Sequence, residues 1–394
     1  MYIFAVLLRF AVAALTVLML GTAAAIAADT AVVISKDGTI ELAISRNQYT
    51  CPRPNKPDMP VHAYRQSNNQ LRIFATNSSN YPFISPSFNL SDLNSMQQIC
   101  TPMLPAYSPM VTPDPQTFLQ KQWVTATYTR DGTTVYGFVH NEFHGKHYDS
   151  LDPPCTKKGA ECWYASLTKV ISTNSGNTFS PASPPPRNFI AGSLYRFSKY
   201  QPDGKVTTRV GTAGPSNVVW NPKDQFYYMF MRRLEDYGPQ QNGECVVRSR
   251  DLNEWFFWDG SGFTKSFENP YTTTKTPEAR VCQTLDNHFG RIRSVVYSPV
   301  YDTFITVVPS SGGIGYATSS DLVQWSPLAN ISGVTGELTA PSLIDASSTA
   351  RNFDTTGNSP YLYWTDDVQR QVYRVKLKNY GEVSGRRMRA ISKA

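Results

Sequence analysis

The chain has 394 residues, 41% of them hydrophobic and 17% charged, with a formal net charge of +7. An aromatic content of 12%, with 28 Pro and 24 Gly, excludes both a disordered polymer and a coiled coil. The densest basic run, Arg386, Arg387 and Arg389, is a short tail and no stripe interleaved with aromatics, so nucleic acid is not an expected partner.

Residues 1–28 have the layout of an export signal. Arg9 is the only charged side chain, Phe10 to Leu20 is apolar apart from Thr16, and Ala25-Ile26-Ala27 fits a small-residue cleavage site. No later segment is apolar for long enough to span a bilayer, so no stable membrane anchor is expected after cleavage, and the location is secreted or periplasmic. Six cysteines agree with export. Pairing of nearest neighbours is expected: Cys51–Cys100, Cys155–Cys162 and Cys245–Cys282. Asn77, Asn89 and Asn330 open N-x-S/T sequons.

After residue 30 no long 3.6-residue period appears. Short strand pairs recur instead, each split by a turn signal. The pairs are Val61–Arg65 with Leu71–Thr76, Val124–Thr129 with Thr134–His140, Asn217–Trp220 with Phe226–Arg232, Ile292–Tyr297 with Phe304–Val308, and Pro341–Ile344 with Tyr361–Thr365. A second element recurs between them. Ser249–Trp255 and Ser319–Trp325 both read S-x-D-L-x-x-W, and Ser172–Phe179 is a third Ser-led turn. Ser and Asp side chains close such turns on backbone N–H groups, and the aromatic packs beneath. Asp251 and Asp321 are therefore read as structural. The rival β-sandwich also has many short strands, but the repeated turn argues against it. The expected fold is all-β: a five-bladed β-propeller with four-stranded antiparallel blades. It would occupy residues 51–380, after an N-terminal segment at 29–50 and before a basic tail at 381–394.

The strand-turn-strand units, Asp58-Met59-Pro60 at the opening of the first, and the two S-x-D-L-x-x-W turns resemble the five-bladed propeller glycosidases. These are glycoside hydrolase family 43, of arabinanase and xylosidase type, with invertase-like relatives. Ser172–Phe179 also resembles the Asp-box turn of sialidases, with Asn174 where Asp is usual. The resemblance covers roughly residues 50 to 380 as fold, and it implies hydrolysis of a polysaccharide or oligosaccharide. Family 43 places an Asp at the start of blade one, an Asp at the start of blade two and a Glu at the start of blade three. Asp58 matches the first position. The second falls near Trp123 and the third near Ala213, so two family carboxylates are not in their usual places. Propellers of this family often hold an ion in the channel, where His288 could face it. No cofactor is otherwise implied.

Strand direction gathers the remaining candidates. Within a blade the second strand runs back, so its end shares a rim with the start of the first. That rim collects Asp58, Trp123 and Arg291 with His140-Asn141-Glu142-Phe143-His144-Gly145, Arg232-Arg233-Leu234-Glu235-Asp236 and Thr365-Asp366-Asp367. Glycoside hydrolysis needs two carboxyl groups. Asp58 is taken as base or nucleophile and Glu142 as acid, with Glu235 as the substitute acid. Trp123 and Trp364 could stack on a sugar, with His140, His144, Arg232, Arg291 and Asp366 as further substrate contacts. His140, Glu142 and His144 alternate and so share one face of a strand, where a metal is the lesser reading and none is assigned. Glu244 and Glu254 are read as solvated beside an outer turn. The alternative function is a non-catalytic propeller that binds glycan or protein at this rim, with its acids tied up in ion pairs.

Overall fold

The computed structural model describes residues 31–51, 57–75, 77, 80–85, 90, 93, 95–104, 113–155, 161–183, 187–235, 237–285, 290–336, 338–366, 368–383 and 386–387. The signal segment, Asn89, Asp236, His288 and Asp367 lie outside them. Among the described residues every regular element is a strand, apart from four 3-10 turns.

The chain opens with β1 (Ala31–Lys36) and β2 (Glu41–Ile44). A first antiparallel group follows: β3 (His62–Arg65), β4 (Leu71–Phe74), β5 (Phe83–Ser85) and β6 (Gln97–Gln98). The second is β7 (Lys121–Thr129), β8 (Val135–His144) and β9 (Trp163–Ser172), with the short β10 (Ser180–Pro181) and β11 (Phe189–Ala191) both on β9. β12 (Arg209–Ala213) runs parallel to β9 and antiparallel to β14. It thereby joins the second group to the third: β13 (Val219–Asn221), β14 (Phe226–Arg233), β15 (Gly243–Ser249) and β16 (Phe256–Phe257). The fourth is β17 (Ser294–Ser298), β18 (Thr303–Ser310), β19 (Gly313–Ser319) and β20 (Ala329–Asn330). The fifth is β21 (Thr339–Ile344), β22 (Tyr361–Asp366) and β23 (Gln371–Val383), with β24 (Arg386–Arg387) beyond. All five expected strand pairs form, each antiparallel. The N-terminal β1 and β2 both pair with β23, so the two ends of the chain share one sheet.

Period-2 alternation explains how the groups stack. On β14, Tyr227, Met229 and Met231 enter one apolar cluster with Ala126, Phe138 and Leu167 of the second group. Tyr228 and Phe230, pointing the other way, enter another with Val295, Phe304 and Val308 of the fourth. On β18, Ile305 and Val307 join Leu362, Trp364 and Val375 of the fifth. Tyr64 and Phe74 of the first group pack on Val124, Val135 and Val139 of the second. Another cluster joins the first group to the fifth, through Leu71, Ile73 and Phe83 against Ile344, Tyr363 and Val372. Burial on both faces is why these strands read as near-continuous apolar runs. Each fully buried Phe, Leu or Ile contributes about 1.5–3 kcal/mol.

The outer turns form as expected. Ser249 Oγ accepts from the N–H groups of Asp251 and Leu252, and Asp251 Oδ1 from those of Asn253 and Glu254. Ser319 and Asp321 repeat the pattern on Asp321, Leu322, Val323 and Gln324. Ser172 Oγ accepts from Asn174 and Gly176, and Asn174 Oδ1 from Thr178. Asp251 and Asp321 are structural.

The three disulfides are Cys51–Cys100, Cys155–Cys162 and Cys245–Cys282, as the nearest-neighbour pairing expects. Cys51–Cys100 spans 49 residues, the longest of the three loops. Loop-closure entropy for that length gives roughly 4 kcal/mol. Cys51→Ser with Cys100→Ser should lower the unfolding free energy in urea by about that amount. The seven-residue Cys155–Cys162 loop should contribute less. Equal losses from both would show that loop entropy is not the source.

Candidate functional site

The β7–β8 hairpin carries the first half of the site. Its turn closes on Asp131, whose Oδ1 accepts from the Thr133 and Thr134 N–H groups at 2.8 and 2.7 Å. The register then sets Lys121 opposite Glu142 and Trp123 opposite His140. The start of the first strand and the end of the second do meet at one edge. A register shift between Val124 and Ala126 lies beside Trp123, and such irregularities re-aim side chains at sheet edges.

His140, Glu142 and His144 share a face of β8, as their alternation predicts. Glu142 Oε1 lies 3.1 Å from His140 Nε2, and Oε2 lies 2.7 Å from His144 Nε2. Burial alone would raise this carboxyl. Hydrogen bonds and charge from the two imidazoles outweigh it and hold the pKa down to about 2. The two imidazoles thus favour the ionised form of Glu142. Around it stand Trp123, 5.5 Å from the His140 ring, and Trp163, 5.8 Å from the His144 ring. The Arg209 guanidinium lies 3.6 Å over Trp163.

The second half comes from β14, β15 and the segment before β17. Arg232 and Glu244 are cross-strand partners, with Arg232 Nη1 3.7 Å from Glu244 Oε1. Glu244 is 1% exposed, while the Arg232 side chain is 37% exposed. Burial pushes the Glu244 carboxyl up to about 7, against the pull of Arg291, Arg232 and Arg293. Arg291 is itself lowered to about 9, first by burial and then by Arg293. The charges of Glu244 and of Glu142 both act on it. Gly214, at φ +104°, makes room: a Cβ there would sit 2.9 Å from Arg291 Nη2. Arg291 thus stands in the field of two carboxyls whose environments push them in opposite directions.

The other sequence candidates divide. Asp58 is exposed in the coil ahead of β3. Glu235 is buried: its Oε1 accepts from the Leu194 N–H at 3.0 Å and pairs with Arg233 Nη2 at 3.1 Å. Trp364 and Asp366 are both engaged within the fold. Trp364 is 3% exposed, packed on Tyr373 within the cluster between the fourth and fifth groups, so its ring faces are already covered. Asp366 caps the β22–β23 hairpin by accepting from the Val368 and Gln369 N–H groups. Glu254 is exposed as read, but Glu244 is not the solvated side chain expected. Its signal was the hairpin register from Arg232 across Gly238-Pro239, which places it opposite a cation. Among the described residues no group of three or more His, Cys, Asp and Glu side chains is placed to hold a metal ion.

No family model matches the chain, and no curated protein does. Among solved structures it is similar to a family 43_1 glycoside hydrolase from Xanthomonas citri, at 11% identity over 89% of this chain and 92% of that one, with a TM-score of 0.45. It is also similar to CoXyl43, a family 43 β-xylosidase/α-arabinofuranosidase from a compost microbial metagenome solved with xylotriose. That likeness is 11% identity over 90% of this chain and 98% of that one, with a TM-score of 0.46. A third is Zg3597, a family 117 glycoside hydrolase of the marine bacterium Zobellia galactanivorans, at 9% identity over 89% and 91%, with a TM-score of 0.46. The similarity is distant and lies in the fold, and no residue role is taken from it.

Proposed function

We propose that the chain is a secreted five-bladed β-propeller that hydrolyses glycosidic bonds at one mouth of its channel. Five antiparallel strand groups, stacked through five apolar clusters of which one joins the last group to the first, support the propeller reading. The observation that carries the chemistry is the pair Glu142 and Glu244, both acting on Arg291. Carboxyls driven apart in pKa are the signature of divided acid and base roles. In this reading Glu244, near neutrality, donates the proton to the leaving oxygen. Glu142, permanently ionised, is the fixed countercharge to the oxocarbenium-like transition state. Asp58 remains the proposed base or nucleophile, and Arg232 covers Glu244 on the solvent side.

The test is sugar release from a panel of plant and microbial polysaccharides. Glu244→Gln and Asp58→Asn are each expected to reduce release by about 10^2–10^4. In the wild type, kcat/KM should fall on the alkaline side of about pH 7 as Glu244 loses its proton. Release that survives Glu244→Gln, or an alkaline limb unmoved by it, would remove Glu244 from the acid role.

One observation favours the non-catalytic alternative. Glu142 and Glu235 are both already held in ion pairs, with His140 and His144 and with Arg233. Binding to a polysaccharide that persists in Trp258→Ala and Trp325→Ala, with no release from any member of the panel, would support that second reading.

A further inference from the structure

The turns Ser249–Trp255 and Ser319–Trp325 match in motif and in backbone hydrogen bonding, but their tryptophans differ. Trp255 is buried, and its Nε1–H donates to the Leu252 carbonyl at 3.3 Å. Trp325 is only partly buried and meets Phe230 edge-on at 5.7 Å. Its Nε1 atom is buried and has no hydrogen-bond partner among the described residues. A buried donor without an acceptor is costly, and the sister turn shows that the local fold can supply one.

Trp325 lines a groove of about 500 Å³ between the third and fourth groups. Trp258 also lines it, with Gln283, Thr284 and Gln324 among the other side chains. Trp258 is fixed in place. Its N–H donates to the Val246 carbonyl, its own carbonyl accepts from the Gln283 N–H, and its ring packs on Phe263 at 5.3 Å. Among the described residues that line the groove none is charged.

We infer that this groove is a second carbohydrate site, one that takes a neutral oligosaccharide chain. Two indoles offer large, rigid apolar faces to the C–H faces of pyranose rings. The two amides and the threonine hydroxyl can both donate to and accept from sugar hydroxyls. An anionic sugar is disfavoured, because the described lining residues carry no charge to offset its desolvation. The site uses none of Asp58, Glu142, Glu244 and Arg291, so it stands whether or not the channel mouth cleaves.

The test is native affinity electrophoresis of the full protein in gels holding arabinoxylan, hydroxyethylcellulose or laminarin, with alginate as the anionic comparison. The wild type should be retarded by at least one neutral polymer and not by alginate at high salt. Trp258→Ala and Trp325→Ala should each raise the dissociation constant at least about tenfold. Trp325→Phe keeps a ring and removes the N–H, so it should give a smaller rise. Gln283→Ala, on an exposed side chain, gives a readout that does not depend on tryptophan packing, and near-ultraviolet circular dichroism checks that each variant is folded. Absence of retardation in all three neutral gels would overturn the inference. So would retardation that folded Trp258→Ala and Trp325→Ala retain, or binding to alginate alone.

Discussion

Arg233→Met is expected to lower the unfolding free energy by about 3–5 kcal/mol. Arg233 is fully buried. Its Nη1 donates to the Gly192 carbonyl at 2.7 Å and to Thr212 Oγ1, and its Nη2 pairs with Glu235 at 3.1 Å. Phe267 lies 4.9 Å beneath the guanidinium. These contacts join β12, β14 and the segment around Leu194, so one side chain ties the second group to the third. Removing it deprives a buried carboxylate of its guanidinium. Glu235→Gln should also destabilise, because it leaves the Arg233 charge without its carboxylate. The double variant should lose less than the sum, since two uncharged side chains leave no buried charge. Urea denaturation of the four proteins gives the cycle. Additive losses, or sugar release abolished by a Glu235→Gln protein of wild-type stability, would return Glu235 to the catalytic candidates.

The second large effect is expected at Glu142. Glu142→Gln should reduce sugar release by about 10^2–10^3, the scale for losing one preorganised electrostatic group. The amide also sets an N–H donor against an imidazole that was donating to the carboxylate. Stability should follow pH with a definite sign. The folded pKa is about 2 against an ordinary 4.5, so the charge stabilises the fold above pH 4.5. That contribution, about 3 kcal/mol in full, is lost as pH falls from 4.5 towards 2. The difference between wild type and Glu142→Gln in urea should therefore be largest at pH 5 and above, and shrink towards pH 2. A gap constant from pH 6 to pH 3 would show that the two imidazoles do not hold a charged carboxylate.

Local pattern carried much of this molecule. The five strand pairs, the Ser-led turns, the shared face of His140, Glu142 and His144, and the three disulfides were all legible as residues. The strand pairs, the turns and the shared face depend on neighbours close in the chain, where alternation and turn chemistry leave few alternatives. The meeting of strand ends at one edge was legible too, because antiparallel register follows from a tight turn.

Which partner each side chain meets in the fold was not legible. Trp364 and Asp366 read as site residues because they end a strand, but Tyr373 and the hairpin amides claim them. Glu142 read as an acid with a raised pKa. The residues that reverse that reading are its neighbours in the sequence, and only folded distances show that both imidazoles reach its oxygens. Glu244 looked like one more surface carboxylate until β14 and the segment before β17 closed over it with three arginines. The pairing of β1 and β2 with β23, more than 300 residues away, leaves no local mark at either end. The sequence by itself determined an all-β chain of paired strands and where its polar side chains gather. The tertiary structure decided which of them are buried, because burial and charge pairing are sums over every segment packed around a group. Those sums favour the ionised form of Glu142 and the protonated form of Glu244.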